Sequence, residues 1–300
     1  MPLFCTRGYN IIRRHFAVSA TPFLQCGWPK SDAENIRNEP IYPFVFNKYL
    51  ENEPIFAKAR ELIFYGATHP GLHRPNNEDA FLIEPELRAA ILADGMGGEK
   101  CGEVGSAITV ETIAEYLRLP ESALSAEEIA REAIRAANRR VRDTAQERLE
   151  CNGMGSTVVL AIWRLPRISI ANVGDSRGYL YRAGELRQLT YDQTYANELR
   201  TQLGFSEERI RNMPNRNVLT MAVGVYDQVL IRMHTETLEA GDQVLLCSDG
   251  LYGPVRPTTM AEILSEQRDA QWKVERLIEC ANEAGGPDNV TVVLLEYPHG

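Results

Sequence analysis

The sequence predicts an α+β fold in which antiparallel sheets are covered by helices, and three observations carry that expectation. Apolar, alternating segments come in runs separated by hairpin-length turns, not in strict alternation with helical patterns as a parallel doubly wound sheet requires. Helical stripes fall in separate blocks before and after the central run of strands. Strand-like segments stand at both ends of residues 61–298, where they can complete the same sheets. That favours one domain of roughly 240 residues over two smaller ones.

The elements follow in order. Residues 1–60 carry prolines, asparagines and aromatics without sustained periodicity, and read as an irregular, poorly ordered N-terminal extension. "ELIFYGATHPG" reads as a strand, and "DAFLIEPELRAAILADG" as two strands joined by a hairpin at "EPEL". Val110, Ile113, Ala114 and Leu117 then recur at helical spacing. "SAEE" at Ser125 to Glu128 is a capping box opening a second helix, whose stripe is Ala130, Ala133, Ile134, Ala137 and Val141. "STVVLAIW", "ISIANVG" and "GYLYRAGELRQLT" form a strand-rich stretch with a hairpin turn at its Arg-Ala-Gly-Glu corner. Residues 191–217 are polar and partly helical, ahead of "VLTMAVG". A late helix begins near Thr259, and its stripe of Val274, Leu277, Ile278 and Ala281 precedes the closing strand in "GGPDNVTVVLLEY".

Composition narrows the class. With 44% hydrophobic and 24% charged residues the chain reads as an ordinary soluble globular protein. A net charge of −9 argues against a general nucleic-acid binder. No apolar run approaches the roughly 20 residues that span a bilayer. The six cysteines are scattered, with no C-x-x-C pair and no secretory signal ahead of them. They read as reduced thiols of a cytoplasmic protein, with Cys247 in a buried strand. The first 31 residues hold Arg7, Arg13, Arg14 and Lys30 and no acid, as transit peptides do, but Pro2, Gly8, Pro22 and Pro29 break any long amphipathic helix.

The chemistry is concentrated in aspartates at strand ends. "AAILADGMGG" runs from buried apolar residues into Asp94-Gly95, and "QVLLCSDGLYG" repeats the pattern at Asp249-Gly250. "ANVGDSR" places Asp175 between two alternating segments. Glu78 and Asp79 in "HRPNNEDAF" and Asp288 in "GGPDNVT" join the set. A single Asp-Gly is most simply a turn. Several carboxylates converging from strand ends, with no His or Cys beside them, instead suit a hard divalent cation such as Mg²⁺ or Mn²⁺.

"RPNNEDA", "LADGMGG", "GMGSTVV", "ANVGDSR", "LLCSDGL" and "GGPDNVTVV", in this order, resemble the PPM (type-2C) family of metal-dependent Ser/Thr protein phosphatases in its bacterial form. The resemblance covers about Leu62 to Tyr297. It implies two antiparallel sheets packed face to face with helices outside, an α-β-β-α sandwich. It also implies hydrolysis of phosphoserine and phosphothreonine by direct attack of a metal-bridging hydroxide, with two Mn²⁺ or Mg²⁺ ions and room for a third. Asp94 would bridge two ions, with the Gly95 carbonyl on one; Asp249 and Asp288 would complete the first site. Glu78 and Asp79 would hold waters of the second, and Asp175 with Asp249 matches the third. Arg74 would bind the substrate phosphate, its planar fork suiting a phosphate better than Lys. Thr157 and Asn289 would support the ligands from behind. The expected partners are phosphoproteins made by a Ser/Thr kinase, and the expected state is a cytoplasmic monomer.

Two positions depart from the resemblance. Many eukaryotic members carry His after the bridging Asp-Gly, where this chain has Met96; and "YDQTY", with Asp192, Gln193 and Thr194, stands where relatives commonly have Asp-His-Ser. The competing readings are a catalytically inactive phosphoprotein- or kinase-binding domain, and a phosphoesterase for small molecules. Arg74 has its own alternative, a turn residue pairing with Glu78.

Overall fold

The computed structural model describes residues 62–97, 101–119, 124–211 and 213–298. The chain divides after Lys58, and every described residue belongs to the unit Ala59–Gly300. The extension expected over residues 1–60 lies outside the described residues, so that boundary stands as a proposal.

Strands β1 (Ile63–His69), β2 (Asp79–Glu84) and β3 (Ala89–Met96) open the domain, followed by helices α1 (Gly102–Leu117) and α2 (Ala126–Glu147). The capping box forms as the sequence predicts: the Glu128 N–H donates to Ser125 Oγ, and the Ser125 N–H donates to the Glu128 carboxylate. Strands β4 (Gly155–Ser156), β5 (Val158–Arg164), β6 (Arg167–Val173), β7 (Arg177–Arg182) and β8 (Glu185–Gln188) come next. Helices α3 (Tyr195–Leu203) and α4 (Glu207–Arg211) precede β9 (Arg232–Thr237) and β10 (Gln243–Cys247). The chain closes with α5 (Asp249–Tyr252), α6 (Pro257–Ser265), α7 (Ala270–Glu283) and β11 (Val290–Glu296).

All pairings are antiparallel. One sheet runs β1-β11-β10-β7-β8 and the other β2-β3-β5-β6-β9, with β4 paired to β3. Because each sheet is covered on both faces, its central strands are continuous apolar runs. Along β3, Ala89, Ile91 and Ala93 face α1 and α2, while Ala90 and Leu92 face the other sheet. Along β11, Val290, Val292 and Leu294 pack against α6 and α7, while Val293 and Leu295 meet β3's inner face across the sandwich core. The period of two thus sorts one apolar run into two cores, and the four layers are the expected α-β-β-α sandwich.

Two expectations are corrected, and one strand the sequence does not announce, β9, is added. The late helical block is two helices. Pro257 sits in the first turn of α6, and Asp269 caps α7 by accepting the Trp272 N–H. β9 carries no apolar alternation because it is an edge strand, half-buried through Met233. Cys101 and Cys151 are joined in a disulfide with Cα atoms 5.4 Å apart, so the six cysteines are not all reduced thiols. The α1–α2 hairpin returns the chain on itself and brings together two cysteines that spacing alone does not relate. Cys247 is a free buried thiol in β10, as expected, and Cys280 is free and half-buried.

Candidate active site

Strand register builds the first half of the site. β2 pairs with β3 so that Asp79 stands directly opposite Asp94. Thr157 clamps Asp94 from behind: its Oγ1 accepts the Asp94 N–H at 3.0 Å, and its own N–H donates to the Asp94 carbonyl at 2.8 Å. Asp79 Oδ2 accepts from Thr291 Oγ1 at 2.6 Å and Ser248 Oγ at 2.8 Å, whereas its shielded Oδ1 has no partner.

Gly95 and Gly102 let β3 and α1 meet. A Cβ on Gly95 would stand 2.0 Å from the Gly102 carbonyl oxygen, and one on Gly102 would stand 2.5 Å from the Glu78 carboxyl carbon. Glu78 therefore lays its carboxylate against the first residue of α1. Its backbone carbonyl accepts from the Gly95 N–H and from Ser106 Oγ.

The other half comes from the second sheet. Asp249 opens α5 directly after β10, and Asp175 lies in the turn between β6 and β7. Asp288 precedes β11, and its Oδ2 accepts from Arg74 Nη2 at 2.7 Å. Arg74 thus pairs with Asp288 and not with Glu78. Asn289 ties down the loop that carries Arg74: its Oδ1 accepts the Glu78 N–H at 2.8 Å, and its Nδ2 donates to the Pro70 and Asn76 carbonyls. All ten residues singled out from the sequence stand at these strand ends and in the loops behind them.

Charge is the dominant property of the assembly. Burial pushes Asp79 up to about 7 and Asp175 to about 7, and facing carboxylates add to both shifts. Asp249 rises to about 6 through burial and Asp288, with Arg74 opposing. Burial also holds Asp94 well above the carboxylate range, and Asp79, Asp249, Asp175 and Asp288 reinforce it. Such groups are under-neutralised by protein alone. Among the described residues no three His, Cys, Asp or Glu groups close on a single point, so charge and burial, not a finished coordination shell, identify the set. Shielded carboxylates short of positive charge, with an orphaned Asp79 oxygen, fit hard divalent cations.

The sequence reading missed several supporting residues. Ser248 and Thr291 were visible only as neighbours of Asp249 and Asp288, and no spacing rule reveals that both turn toward Asp79. Ser106 is hidden inside α1. Tyr252, one turn after Asp249, donates its hydroxyl to the Asp175 carbonyl at 3.1 Å and stacks under Arg177, whose guanidinium carbon lies 3.6 Å from its ring. Arg177 in turn pairs with Asp192 at 2.6 Å. Met96 turns its methyl toward the Gly155 backbone, a packing contact with no acid function.

The description "Protein phosphatase 2C" belongs to a family profile that matches residues 67–294. The chain belongs to the protein phosphatase 2C family, an enzyme of the serine/threonine protein phosphatase class. Among its relatives is the serine/threonine phosphatase stp of Listeria monocytogenes, 38% identical over 227 residues, covering 75% of this chain and 90% of that one. The Mycobacterium tuberculosis phosphatase PstP is 36% identical over 235 residues, covering 77% of this chain and 44% of that one. A crystal structure of PstP's catalytic domain in complex with two manganese ions superposes with a TM-score of 0.71 at 33% identity, covering 79% of this chain and 99% of that one. Stp1 of Staphylococcus aureus gives a TM-score of 0.74 at 30% identity, over 82% of this chain and all of that one.

Proposed function

We propose that the carboxylates gathered at the strand ends are the cation-binding centre of this phosphatase, and that Arg74 is its phosphate anchor. The observation that carries the reading is the clustering of Asp79, Asp94, Asp175 and Asp249 at buried strand ends, four acids whose proton affinity is raised by burial and then by neighbouring carboxylates. Asp94, the Gly95 carbonyl, Asp249 and Asp288 would hold one ion, with Asp94 shared to a second that Glu78 and Asp79 serve. Asp175 with Asp249 would serve a third. Mn²⁺ or Mg²⁺, when bound, makes water acidic enough to yield a nucleophile near neutral pH and offsets phosphoryl charge.

The chain's own groups do the rest. Arg74 releases Asp288 to grip two phosphoryl oxygens, and its half-exposed position allows that exchange. Asn289 fixes the loop from which Arg74 reaches. Thr157 fixes the backbone of Asp94, and Thr291 with Ser248 leaves Asp79 one free oxygen to offer. Every carboxylate is in place, which favours catalysis over an inactive binding domain.

The substrates are phosphoserine and phosphothreonine proteins, products of a Ser/Thr kinase, and the protein acts as a monomer. No described helix is long and apolar enough to cross a membrane. A cytoplasmic site of action accords with Cys247 and Cys280, the unbridged cysteines among the described residues, while the Cys101–Cys151 bridge asks for an oxidising setting. Exhaustive EDTA treatment should abolish phosphopeptide hydrolysis and Mn²⁺ should restore it; Asp94→Asn and Asp249→Asn should each stay inactive at saturating Mn²⁺ while remaining folded by circular dichroism. Full turnover without metal would overturn the proposal. Faster hydrolysis of nucleoside phosphates than phosphopeptides would favour the small-molecule reading.

A further inference from the structure

Between β8 and β9 some 40 residues run outside the named strands, returning to the core where Val223 pairs with Ser156, and α3 and α4 are their only helices among the described residues. One residue holds both ends of this excursion. Gln193 is 2% exposed and lies just before the N-cap of α3. Its Oε1 accepts the Gly174 N–H at 2.7 Å, and its own N–H donates to the Gly174 carbonyl at 3.0 Å. Its Nε2 donates to the Leu230 carbonyl at 2.7 Å, where the excursion rejoins the sheet. Its carbonyl accepts the Thr220 N–H at 2.8 Å.

Gly174 immediately precedes Asp175. Its φ of +91° belongs to the region that favours glycine, and a Cβ there would stand 2.8 Å from the Thr157 side chain. The turn presenting Asp175 is thus pinned between Gln193 and Thr157, the residue that clamps Asp94.

We infer that Gln193 is a positioning residue, a clasp that fastens the start and end of the 194–230 segment to the turn presenting Asp175. Segment and carboxylate then shift together. The side chain must offer an acceptor to Gly174 and a donor to Leu230 at the same time, and a primary amide does so in one plane. A carboxylate keeps the acceptor alone, and an aliphatic side chain keeps neither. A neutral imidazole keeps both, one on each nitrogen. Losing the acceptor strands the buried Gly174 N–H, and replacing the donor by a carboxylate sets a negative oxygen against the part-buried Leu230 carbonyl.

The consequence for cation binding rests on the proposed role of Asp175; the consequence for the segment does not. The test compares Gln193→Leu, Gln193→Glu and Gln193→His at pH 8, where imidazole is neutral. Amide hydrogen exchange across 195–229 is read by mass spectrometry and Mn²⁺ binding by calorimetry. Exchange should rise roughly tenfold or more in the Leu variant, which loses the buried Gly174 bond, and in the Glu variant, whose carboxylate faces the Leu230 carbonyl oxygen, and stay near wild type in the His variant. The weakest class of Mn²⁺ should weaken about tenfold in the Leu variant and less in the Glu variant, which still accepts from Gly174. Should the Leu variant not fold, the Glu and His pair decides the same question. Unchanged exchange in a folded Leu or Glu variant, a His variant that exchanges as fast as the Glu variant, or equal weakening of every Mn²⁺ class would each overturn the clasp. If Asp175→Asn leaves Mn²⁺ binding intact, the cation role of Asp175 fails, and the exchange data still judge the clasp.

Discussion

Replacing Arg74 by alanine should separate substrate binding from metal binding. In the structure the guanidinium makes one contact of 2.7 Å, to Asp288, with the two side chains 49% and 32% exposed. A pair that open to solvent contributes at most about 1 kcal/mol to folding, so the variant should melt near wild type. A bidentate, charge-assisted grip on a phosphoryl group contributes roughly 1.5–3 kcal/mol, which raises KM about 10- to 100-fold. Metal affinity should hold or rise slightly, because the substitution frees Asp288 from its ion pair with Arg74 and arginine has no lone pair to give a cation. Lysine should rescue in part, as a point charge without the fork. The assay titrates phosphopeptide at saturating Mn²⁺ and Mn²⁺ at saturating phosphopeptide. An unchanged KM would remove Arg74 from the phosphate site, and a marked fall in Mn²⁺ affinity would recast it as a residue that orients the carboxylates.

Further outcomes follow from the same geometry. In chelator, Asp79, Asp175 and Asp249 titrate near 7, 7 and 6 in the fold against an unfolded value of 3.8, so the native state binds more protons between those limits. Stability of the metal-free protein should therefore rise as pH falls from 8 to 6 and drop as it climbs back; a denaturant midpoint that is lower at pH 6 contradicts this. Mn²⁺ should flatten that slope. Reducing the Cys101–Cys151 bridge, which closes a loop of 50 residues, should cost about 4 kcal/mol of unfolding free energy, read as a lower denaturant midpoint. Alkylation that finds as many free thiols before reduction as after would show the bridge is not formed. Gly102→Ala puts a methyl group 2.5 Å from the flexible end of Glu78, so it should fold and lose Mn²⁺ affinity. Gly95→Ala meets backbone at 2.0 Å and should lose about 3 kcal/mol of stability, readable by thermal melt.

The sequence by itself determined the local pieces and the chemistry they carry. Apolar runs such as Ala89–Ala93 announce strands, the Ser125–Glu128 box announces α2, and acids that end apolar runs announce a charged centre. Each is a property of neighbouring residues, and neighbouring residues are what periodicity reports. Tertiary structure decided the rest, because it depends on pairs far apart in the chain. Register alone sets Asp79 opposite Asp94, and a slip of β2 by one residue would turn Asp79 to the other face. The return of α2 on α1 joins Cys101 to Cys151, residues whose spacing carries no motif. Gln193 reads as one polar residue in a polar stretch until the fold brings Gly174 and Leu230 to its two ends. β9 stayed illegible because an edge strand needs only one half-buried face, and so little apolar patterning.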